Sequence, residues 1–291
     1  MRPSRRQTAL TGEHALVDGI RFDMPVNSLD SPALMAGFTV DADAAAALLP
    51  GRELGLIRLP RGRALLLVTV ILYRITDIGS YIEYSIAFAC RHRPAGNGRL
   101  STLLREGTSA FGQYVWDLPV STEISVKGGK GIWGMPKHRA ALDFRLSDGE
   151  MSSQYDLDGQ LCMRITVRRP SGLRVPLRNL STTNYCQFRG MLMKSGICFS
   201  DDAEVAVGRA AHGQLLLGDH PRMDPLRALD LAEHPLFVAC LPHSHGVLDD
   251  HAESWFLTSP SAVVTAPEGL ESVAALGQDQ TWLPAPTASG R

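Results

Sequence analysis

Lys137 has the chemical setting that stands out most in this sequence. It follows residues 133–136, Trp-Gly-Met-Pro, and it precedes His138 and Arg139. Bulky apolar neighbours disfavour the charged form of an amine, and nearby cations disfavour it by repulsion. Because only a neutral amine adds to a ketone or an aldehyde, these neighbours indicate a nucleophile for Schiff-base chemistry. Taken alone, however, a lysine that follows a proline is usually a solvated surface residue.

Glu83 is the second candidate, at the end of residues 79–83, Gly-Ser-Tyr-Ile-Glu. A carboxylate in an active site can shuttle a proton or can position water and substrate. The alternative is an exposed carboxylate on the surface of a strand, where acidic side chains are common. Both interpretations fit the residues around Glu83.

Two motifs in this order resemble those of the acetoacetate decarboxylase-like family. Residues 129–138, Gly-Lys-Gly-Ile-Trp-Gly-Met-Pro-Lys-His, resemble the family's Gly-Arg-Glu-aromatic-Gly-Phe-Pro-Lys-Lys signature. Residues 79–83 resemble its Gly-x-Tyr-x-Glu strand, whose glutamate lies in the active site. Tyr114 and Glu123 precede Lys137 at the family's spacing, and weaker similarity continues to Trp255. The resemblance covers residues 20 to 257.

This resemblance implies a mainly β (α+β) protein, an antiparallel β cone or barrel with a few peripheral helices. Lys137 would form the Schiff base, and Glu83 would be the second catalytic residue. The residues that would contact the substrate are Tyr81, Trp133, Met135, His138 and Tyr114. The resemblance also implies a small-molecule carbonyl substrate, a homo-oligomer, and catalysis without a cofactor or a metal ion.

Three departures from the family pattern argue against acetoacetate as the substrate. His138 replaces the family's second lysine, so activation of Lys137 would rest on its apolar surroundings. No arginine lies between Arg21 and Arg52 to hold a substrate carboxylate, and the family's additional acid falls at Val68. We therefore expect a larger or more apolar carbonyl substrate. Carbon–carbon cleavage, aldol or retro-aldol chemistry, dehydration and decarboxylation remain open, because all share the iminium.

Two further hypotheses keep the same fold. The chain could be a binding module for an apolar ligand, with Lys137 as a relic of a lost activity. Alternatively, His138 or Glu83 could act on a carbonyl by acid–base catalysis without an imine.

Other groups of residues give weaker indications of a functional site. His243 and His245, with His234 and His251 nearby, lack a cysteine or glutamate at ligand spacing, so we predict no metal site. The arginines between residues 168 and 178 are interpreted as a solvated loop. Gly-x-Ser-x-Gly, phosphate-binding and dinucleotide-binding motifs do not occur, so no nucleotide cofactor is expected.

Composition limits the class of protein. The 291 residues carry 29 basic and 30 acidic side chains without long blocks of one sign, which argues against a nucleic-acid partner. The apolar run over residues 64–73 is about half the length that crosses a bilayer, so it predicts a buried strand. No signal peptide is recognised, and the five cysteines are odd in number, so we expect reduced thiols in the cytoplasm.

Local patterns predict elements and boundaries. Runs rich in β-branched and aromatic residues predict strands over 65–73, 80–90, 113–126, 140–146 and 161–168. Helices are predicted over 41–49 and 225–233, and turns at 96–98, 147–149 and 158–159. The domain is expected to span residues 20–258, between an N-terminal extension and a C-terminal tail that is mobile or held against a partner subunit.

Overall fold

The computed structural model describes residues 14–92, 112–172, 174–250, 253–257 and 273–288. Within these ranges the chain is mainly β with a few short helices, which confirms the predicted fold class. The strands are β1 (His14–Val17), β2 (Ile20–Asp23), β3 (Val26–Asp30), β4 (Ala33–Asp41), β5 (Leu54–Leu56), β6 (Arg63–Tyr73), β7 (Ile75–Thr76), β8 (Tyr81–His92), β9 (Gly112–Val120), β10 (Lys137–Arg139), β11 (Ala141–Leu142), β12 (Arg145–Leu146), β13 (Glu150–Leu157), β14 (Gln160–Arg168), β15 (Arg174–Phe188), β16 (Met191–Val207), β17 (Gly213–Leu217), β18 (Phe237–Leu241), β19 (His245–Leu248) and β20 (Glu253–Phe256). The helices are α1 (Ala42–Ala46), α2 (Glu123–Trp133) and α3 (Asp224–Arg227), and short 3-10 helices span Pro60–Gly62, Gly208–Ala210 and Pro221–Met223.

Seven strands close into a barrel, as the resemblance predicts. They follow one another in the order β4, β6, β8, β9, β15, β16 and β18, and β18 pairs with β4 to complete the ring. The contact between β9 and β15 is parallel, and the other six contacts are antiparallel. Closure pairs each of these strands on both sides, so the main part of the sheet has no free edge.

A second sheet packs against the outside of the barrel. It contains β11, β13, β14 and β17 in that order, with β12 beside β13. Its side chains share the main core with alternate residues of the barrel strands, among them Met151, Tyr155, Leu66, Tyr84 and Phe88. The interior of a seven-stranded barrel is too narrow to hold a second sheet, so that sheet must lie outside it. Residues of the opposite parity therefore face the interior.

Strand β8 shows the two faces clearly. Its even-numbered residues from Ile82 to Cys90 belong to the core shared with the second sheet. Its odd-numbered residues, which include Glu83, point to the barrel interior because β8 pairs with β6 without a register shift. Both faces of β8 are buried over nearly its full length.

Helix α2 corrects one prediction. The strand predicted over residues 113–126 ends at Val120, and α2 begins at Glu123. Valine and isoleucine favour a strand locally, and three glycines weaken a helix, but packing overrides both preferences. A Cβ atom on the glycines of α2 would collide with neighbouring side chains, namely Phe22 at Gly128, Lys137 at Gly129 and Val17 at Gly131. These glycines therefore allow α2 to lie directly on the hairpin of β1 and β2 and on Lys137.

The other predicted elements have mixed outcomes. The strands predicted over 65–73, 80–90 and 161–168 are confirmed as β6, β8 and β14, whereas the strand over 140–146 is split into β11 and β12. The helices predicted over 41–49 and 225–233 are shorter, as α1 and α3. Residues 147–149 and 158–159 connect strands as predicted, and the turn at 96–98 lies outside the described residues. In the described part of the chain, no helix is long and apolar enough to cross a membrane.

The described part of the C-terminal tail, residues 273–288, lies against its own chain. The carbonyl oxygens of Val273 and Leu276 accept hydrogen bonds from Lys127 on α2. The Trp282 indole donates to the carbonyl oxygen of Ser80 at 2.9 Å. Asp156 of β13 accepts from the backbone amides of Thr287 and Ala288 at 3.0 and 2.9 Å. The tail thus follows the outside of α2, of the turn before β8, and of β13.

Replacing Asp156 tests this attachment. In Asp156→Ala two amides lose a buried acceptor, which costs about 1–3 kcal/mol, or about 5- to 150-fold in local opening. We expect faster hydrogen exchange at Thr287 and Ala288, measured by mass spectrometry or NMR. Glu150→Ala, an exposed position on the same strand, is the control and should leave exchange unchanged. Unchanged protection in Asp156→Ala would show that the tail is held elsewhere.

Candidate active site

A sharp helix-to-strand turn delivers Lys137 to the barrel. Gly134, with φ of 64°, ends α2 in the left-handed conformation that glycine adopts at low cost. The amides of Gly134 and Met135 donate to the carbonyl oxygens of Lys130 and Gly129. Pro136 cannot continue the helix, and β10 begins at the next residue and pairs in parallel with β9. The glycine and proline of the motif therefore place Lys137 at the first position of a strand.

Lys137 and Glu83 form a buried ion pair. The lysine Nζ lies 2.7 Å from Oε2 of Glu83, and the two side chains are 2% and 9% exposed. The Nζ atom also lies 5.3 Å from the centre of the Tyr81 ring, whose face attracts a cation. An amine and a carboxylate at this distance can exchange a proton directly, which frees the nitrogen lone pair.

Gly129 brings α2 onto the methylene chain of Lys137. A Cβ atom at Gly129 would stand 2.6 Å from Cε of Lys137 and still closer to Cδ. The position beside the lysine therefore has space for a hydrogen atom but not for a methyl group. The helix backbone forms one wall of the lysine's enclosure.

Tyr73 joins the site although the sequence did not single it out. It pairs with Tyr81 across β6 and β8, and the two rings stack 4.5 Å apart at 23°. Burial, together with the nearby Glu83 carboxylate, raises the pKa of both phenols well above the usual value. Both hydroxyls therefore remain protonated and able to donate. The short connection between β6 and β8 could have indicated this pairing.

Cys186 on β15 is a further neighbour that the sequence did not reveal. Burial raises the pKa of its thiol to about 12, with Lys137 acting in the opposite direction and Glu83 in the same direction. The side chain therefore stays a neutral thiol. It shares an apolar cluster with Tyr81, Trp133 and Met135.

The structure places His138 and Lys137 on opposite faces of β10. Successive residues of a strand point to opposite faces, so His138 lies on the side of β10 away from the barrel interior. Its Nε2 is 3.0 Å from Oδ1 of Asp117 and 3.4 Å from the Tyr155 hydroxyl. Arg222 completes this group with two bonds to Asp117, at 2.7 and 3.0 Å. His138 therefore ties β10 to β9 and to the second sheet.

Asp117 is the centre of that group, and no pattern in the sequence indicated it. Burial by itself would raise the pKa of this carboxyl. The charges of His138 and Arg222 and their hydrogen bonds outweigh burial and hold the pKa well below its usual range. Asp117 therefore stays ionised in the folded protein.

The remaining predicted contacts divide between the two faces. Tyr114 pairs with Phe88 and belongs to the core outside the barrel, on the opposite face from Glu83. Trp133 and Met135 are buried in the cluster that contains Tyr81. The indole of Trp133 donates to the carbonyl oxygen of Asp249 at 2.6 Å, which anchors the end of α2.

The surroundings of Glu83 inside the barrel are apolar. Its partners across the sheet are Val120 on β9 and Ile71 on β6. Val68, where the family's additional acid was expected, pairs with Ile86 and faces the second sheet. That position therefore cannot contribute to the site.

Metal ligation finds no support in the described residues, where no group of three or more His, Cys, Asp or Glu side chains could hold an ion. His243 lies in the turn before β19, His245 is the first residue of β19, and His251 is outside the described residues. Arg169 and Arg178 are engaged in ion pairs with Glu204 and Asp202 at 2.8 Å.

Comparison with known proteins identifies the class of this barrel. The family model for acetoacetate decarboxylase (ADC) matches residues 7–191, and the chain belongs to this enzyme family. No curated protein has a matching sequence. A solved structure of acetoacetate decarboxylase superposes with a TM-score of 0.57 at 17% identity, covering 80% of this chain and 89% of the other.

Two further solved structures share the fold. The enduracididine biosynthesis enzyme MppR, in complex with pyruvate, superposes with a TM-score of 0.53 at 16% identity, covering 81% of this chain and 91% of its own. An acetoacetate decarboxylase-like enzyme from Sphingomonas wittichii gives 0.52 at 14% identity, with 82% and 98% covered. At these identities the similarity establishes the fold.

A double-mutant cycle tests the contact between Gly129 and Lys137. Gly129→Ala should lower the free energy of unfolding by about 1–3 kcal/mol, because the new methyl group displaces the lysine chain. In the Lys137→Ala background that cost should largely disappear. Gly128→Ala, which collides with Phe22 instead, is the matched control and should cost the same in both backgrounds. An equal cost of Gly129→Ala in both backgrounds, measured by urea unfolding, would contradict the contact.

The Asp117 group predicts a loss of stability in acid. Because the folded pKa of Asp117 lies below its unfolded value of about 3.9, its contribution is complete above about pH 4 and is lost as pH falls. One such carboxyl gives a slope of up to about 1.4 kcal/mol per pH unit in that range. Asp117→Asn should be less stable near neutral pH and should lack this part of the slope, whereas Asp148→Asn, an exposed control, should keep it. A slope that persists in Asp117→Asn would assign acid sensitivity to other groups.

Proposed function

We propose that this protein is a lyase-type enzyme that binds a carbonyl substrate as a Schiff base on Lys137. The observation that carries the proposal is the buried pair of Lys137 and Glu83, 2.7 Å apart on the interior side of the barrel. The pair lies on the face enclosed by the strands, beside the stacked rings of Tyr73 and Tyr81. Membership of the acetoacetate decarboxylase family supports the same role.

Imine formation would use both members of the pair. Glu83 accepts a proton from the ammonium group, and the freed lone pair bonds to the carbonyl carbon while the π electrons move to oxygen. Protons returned through Glu83 convert that oxygen to water, which leaves as the C=N bond forms. The net reaction joins the ammonium group and the carbonyl into an iminium ion and one water, without a net change in protons.

The iminium then serves as an electron sink. A bond to the neighbouring carbon breaks, and its electron pair moves into the C=N unit to give an enamine. Decarboxylation, retro-aldol cleavage, proton removal and dehydration all follow this course, so the reaction depends on what the substrate presents beside the imine. Tyr81 and Tyr73, both protonated, are donors in position to assist Glu83.

The apolar neighbours of Glu83 support a substrate larger or more apolar than acetoacetate. A carboxylate one carbon away from the imine would lie beside Glu83, Val120 and Ile71, without an added cation to hold it.

Five free thiols fit the predicted reducing compartment, and the cytoplasm and the homo-oligomer remain predictions.

Trapping with borohydride tests the Schiff base. The protein is incubated with a panel of ketones and β-diketones, reduced, digested and analysed by mass spectrometry. The chain has four lysines, so assignment of an adduct is direct. We expect an adduct at Lys137 and none in Lys137→Ala or Lys137→Arg, because arginine keeps the charge but forms no imine. Glu83→Gln should slow adduct formation by about 10²–10⁴-fold, because the proton acceptor is lost.

Lys194→Ala is the control, because this lysine lies on β16 in a partly exposed ion pair, and it should keep the adduct at Lys137. Turnover that survives in both Lys137 variants would favour acid–base catalysis without an imine. No adduct across the panel, with tight ligand binding retained in Lys137→Ala, would favour the binding module.

A further inference from the structure

Arg91 is a buried guanidinium without an ion-pair partner among the described residues. It is 7% exposed, and its Nη1 atom has no hydrogen-bond partner. An unpaired buried cation costs several kcal/mol, so proteins normally pair such a group with an anion. The structure therefore holds a cation whose counter-charge is missing from its own described residues.

The register of β8 places Arg91 on the same face as Glu83. The two residues are eight positions apart, and β8 pairs regularly with β6 and then with β5, where Gly55 faces Arg91. Even spacing on a regular strand gives a common face, which is the barrel interior. The residues of that face between them are small, namely Ser85, Ala87 and Ala89. The side chains of β8 itself therefore occupy little of the interior between the ion pair and Arg91.

Three polar side chains lie next to Arg91 around the barrel wall. Gln113 pairs with Ala89 on β8, Asn184 pairs with Gln113, and Ser195 pairs with Asn184, so all three share the interior face. The Gln113 amide donates to Oδ1 of Asn184 at 2.8 Å. Ser195 is 2% exposed, and its hydroxyl has no hydrogen-bond partner. A second buried polar group thus lacks its bond, three strands away from Arg91 on the same interior face.

Asn184 connects these polar residues with the surroundings of Lys137. Cys186, which interacts electrostatically with Lys137 and Glu83, is two residues from Asn184 on the same face of β15. Two residues of a strand span about 7 Å. Along β8, eight residues separate the Cα atoms of Glu83 and Arg91 by about 26 Å, and the long side chains of Lys137 and Arg91 shorten this gap.

We propose that Arg91 and Ser195, with the Gln113–Asn184 pair between them, form a carboxylate-binding subsite at the far end of the barrel interior. It rests on the proposed function in one respect: its natural ligand would be a keto acid whose ketone reacts at Lys137. Arginine supplies two donors in the geometry that a carboxylate accepts, and the serine hydroxyl supplies another. The substrate class is therefore a keto acid in which a methylene chain separates the carboxylate from the ketone, and not a β-keto acid.

Simple carboxylates test the subsite without the Schiff base. Straight-chain monocarboxylates of graded length should raise the melting temperature of the wild-type protein, whereas alcohols of the same length should not. The same shift should occur in Lys137→Ala, because the subsite does not need the lysine. Arg91→Met should abolish the shift, and Ser195→Ala should reduce it. Arg168→Met, an exposed arginine on β14, is the matched control and should retain it.

The stability of the ligand-free variants gives an independent measurement. Arg91→Met should raise the melting temperature, since it removes an unpaired buried charge. Ser195→Ala should leave it unchanged or raise it, since it removes a buried hydroxyl without a partner. If either variant is less stable than the wild-type protein, the residue has a structural bond and the inference is wrong. Glu53, two residues from Gly55 on β5, is the acid to test as a structural counter-ion. A stabilising coupling between Glu53 and Arg91 in a double-mutant cycle would also overturn the subsite.

Borohydride trapping then connects the two sites. Long-chain keto acids should reach half-maximal adduct at Lys137 at about 10- to 150-fold lower concentration than methyl ketones of the same length, as expected for charge-assisted hydrogen bonds. In Arg91→Met the ratio should fall to about one. Equal trapping of both probes in the wild-type protein would refute the subsite and leave the Schiff base intact. A melting shift with carboxylates but no adduct with any ketone would refute the proposed function and leave the subsite intact.

Discussion

The buried contact between Lys137 and Glu83 is the constraint that the surrounding structure satisfies. Two opposite charges are removed from water, which is favourable only when the groups are held at hydrogen-bonding distance by their surroundings. Glu83 is fixed within β8, which is paired on both sides. Lys137 is fixed at the start of β10, and α2 covers its methylene chain. The glycines of the motif are therefore required by packing, because the helix must approach closely enough to exclude water from the pair.

Strand β10 has only three residues, and each is held by a different part of the molecule. Lys137 points inward to Glu83, and His138 points outward to Asp117. Arg139 donates to the carbonyl oxygen of Thr281 in the C-terminal segment. Pro119, opposite His138 on β9, has no amide hydrogen to contribute to the parallel pairing. The side-chain contacts therefore compensate for a short backbone ladder, and His138 holds the strand in place through Asp117.

Much of the sheet and the main residues of the site could be predicted from sequence, because they depend on local patterns. β-branched and aromatic runs marked β6, β8 and β14, and two ordered motifs marked Glu83 and Lys137. Helix α2 could not be predicted from propensity, because its glycines favour a loop until the contacts with Phe22, Val17 and Lys137 are known. The same limit applies to Arg91, whose local sequence does not reveal that it is buried.

The position of Tyr114 on the outer face of β9 has a single geometric cause. The pairs Ile86 with Asp117 and Ala87 with Val115 leave Trp116 as an extra residue in β9. Without this bulge, Tyr114 would lie on the same face as Val120 and Glu83, since six residues separate it from Val120. One extra residue reverses the face of everything beyond it. Spacing along the chain therefore places Tyr114 in the barrel interior, whereas the bulge turns it to the core outside.

The interior as a whole explains why the departures from the family pattern occur together. Beside the lysine, Val120 and Ile71 are apolar, and Glu83 would repel a carboxylate placed next to the reacting carbon. In an apolar enclosure that repulsion is weakly screened, so it would oppose binding of a small β-keto acid. A substrate that keeps any charge away from Glu83 avoids this cost while still presenting its carbonyl to Lys137. We therefore propose that loss of the arginine near the N-terminus and the small residues along β8 belong to one change in specificity, from a compact charged substrate to an extended one.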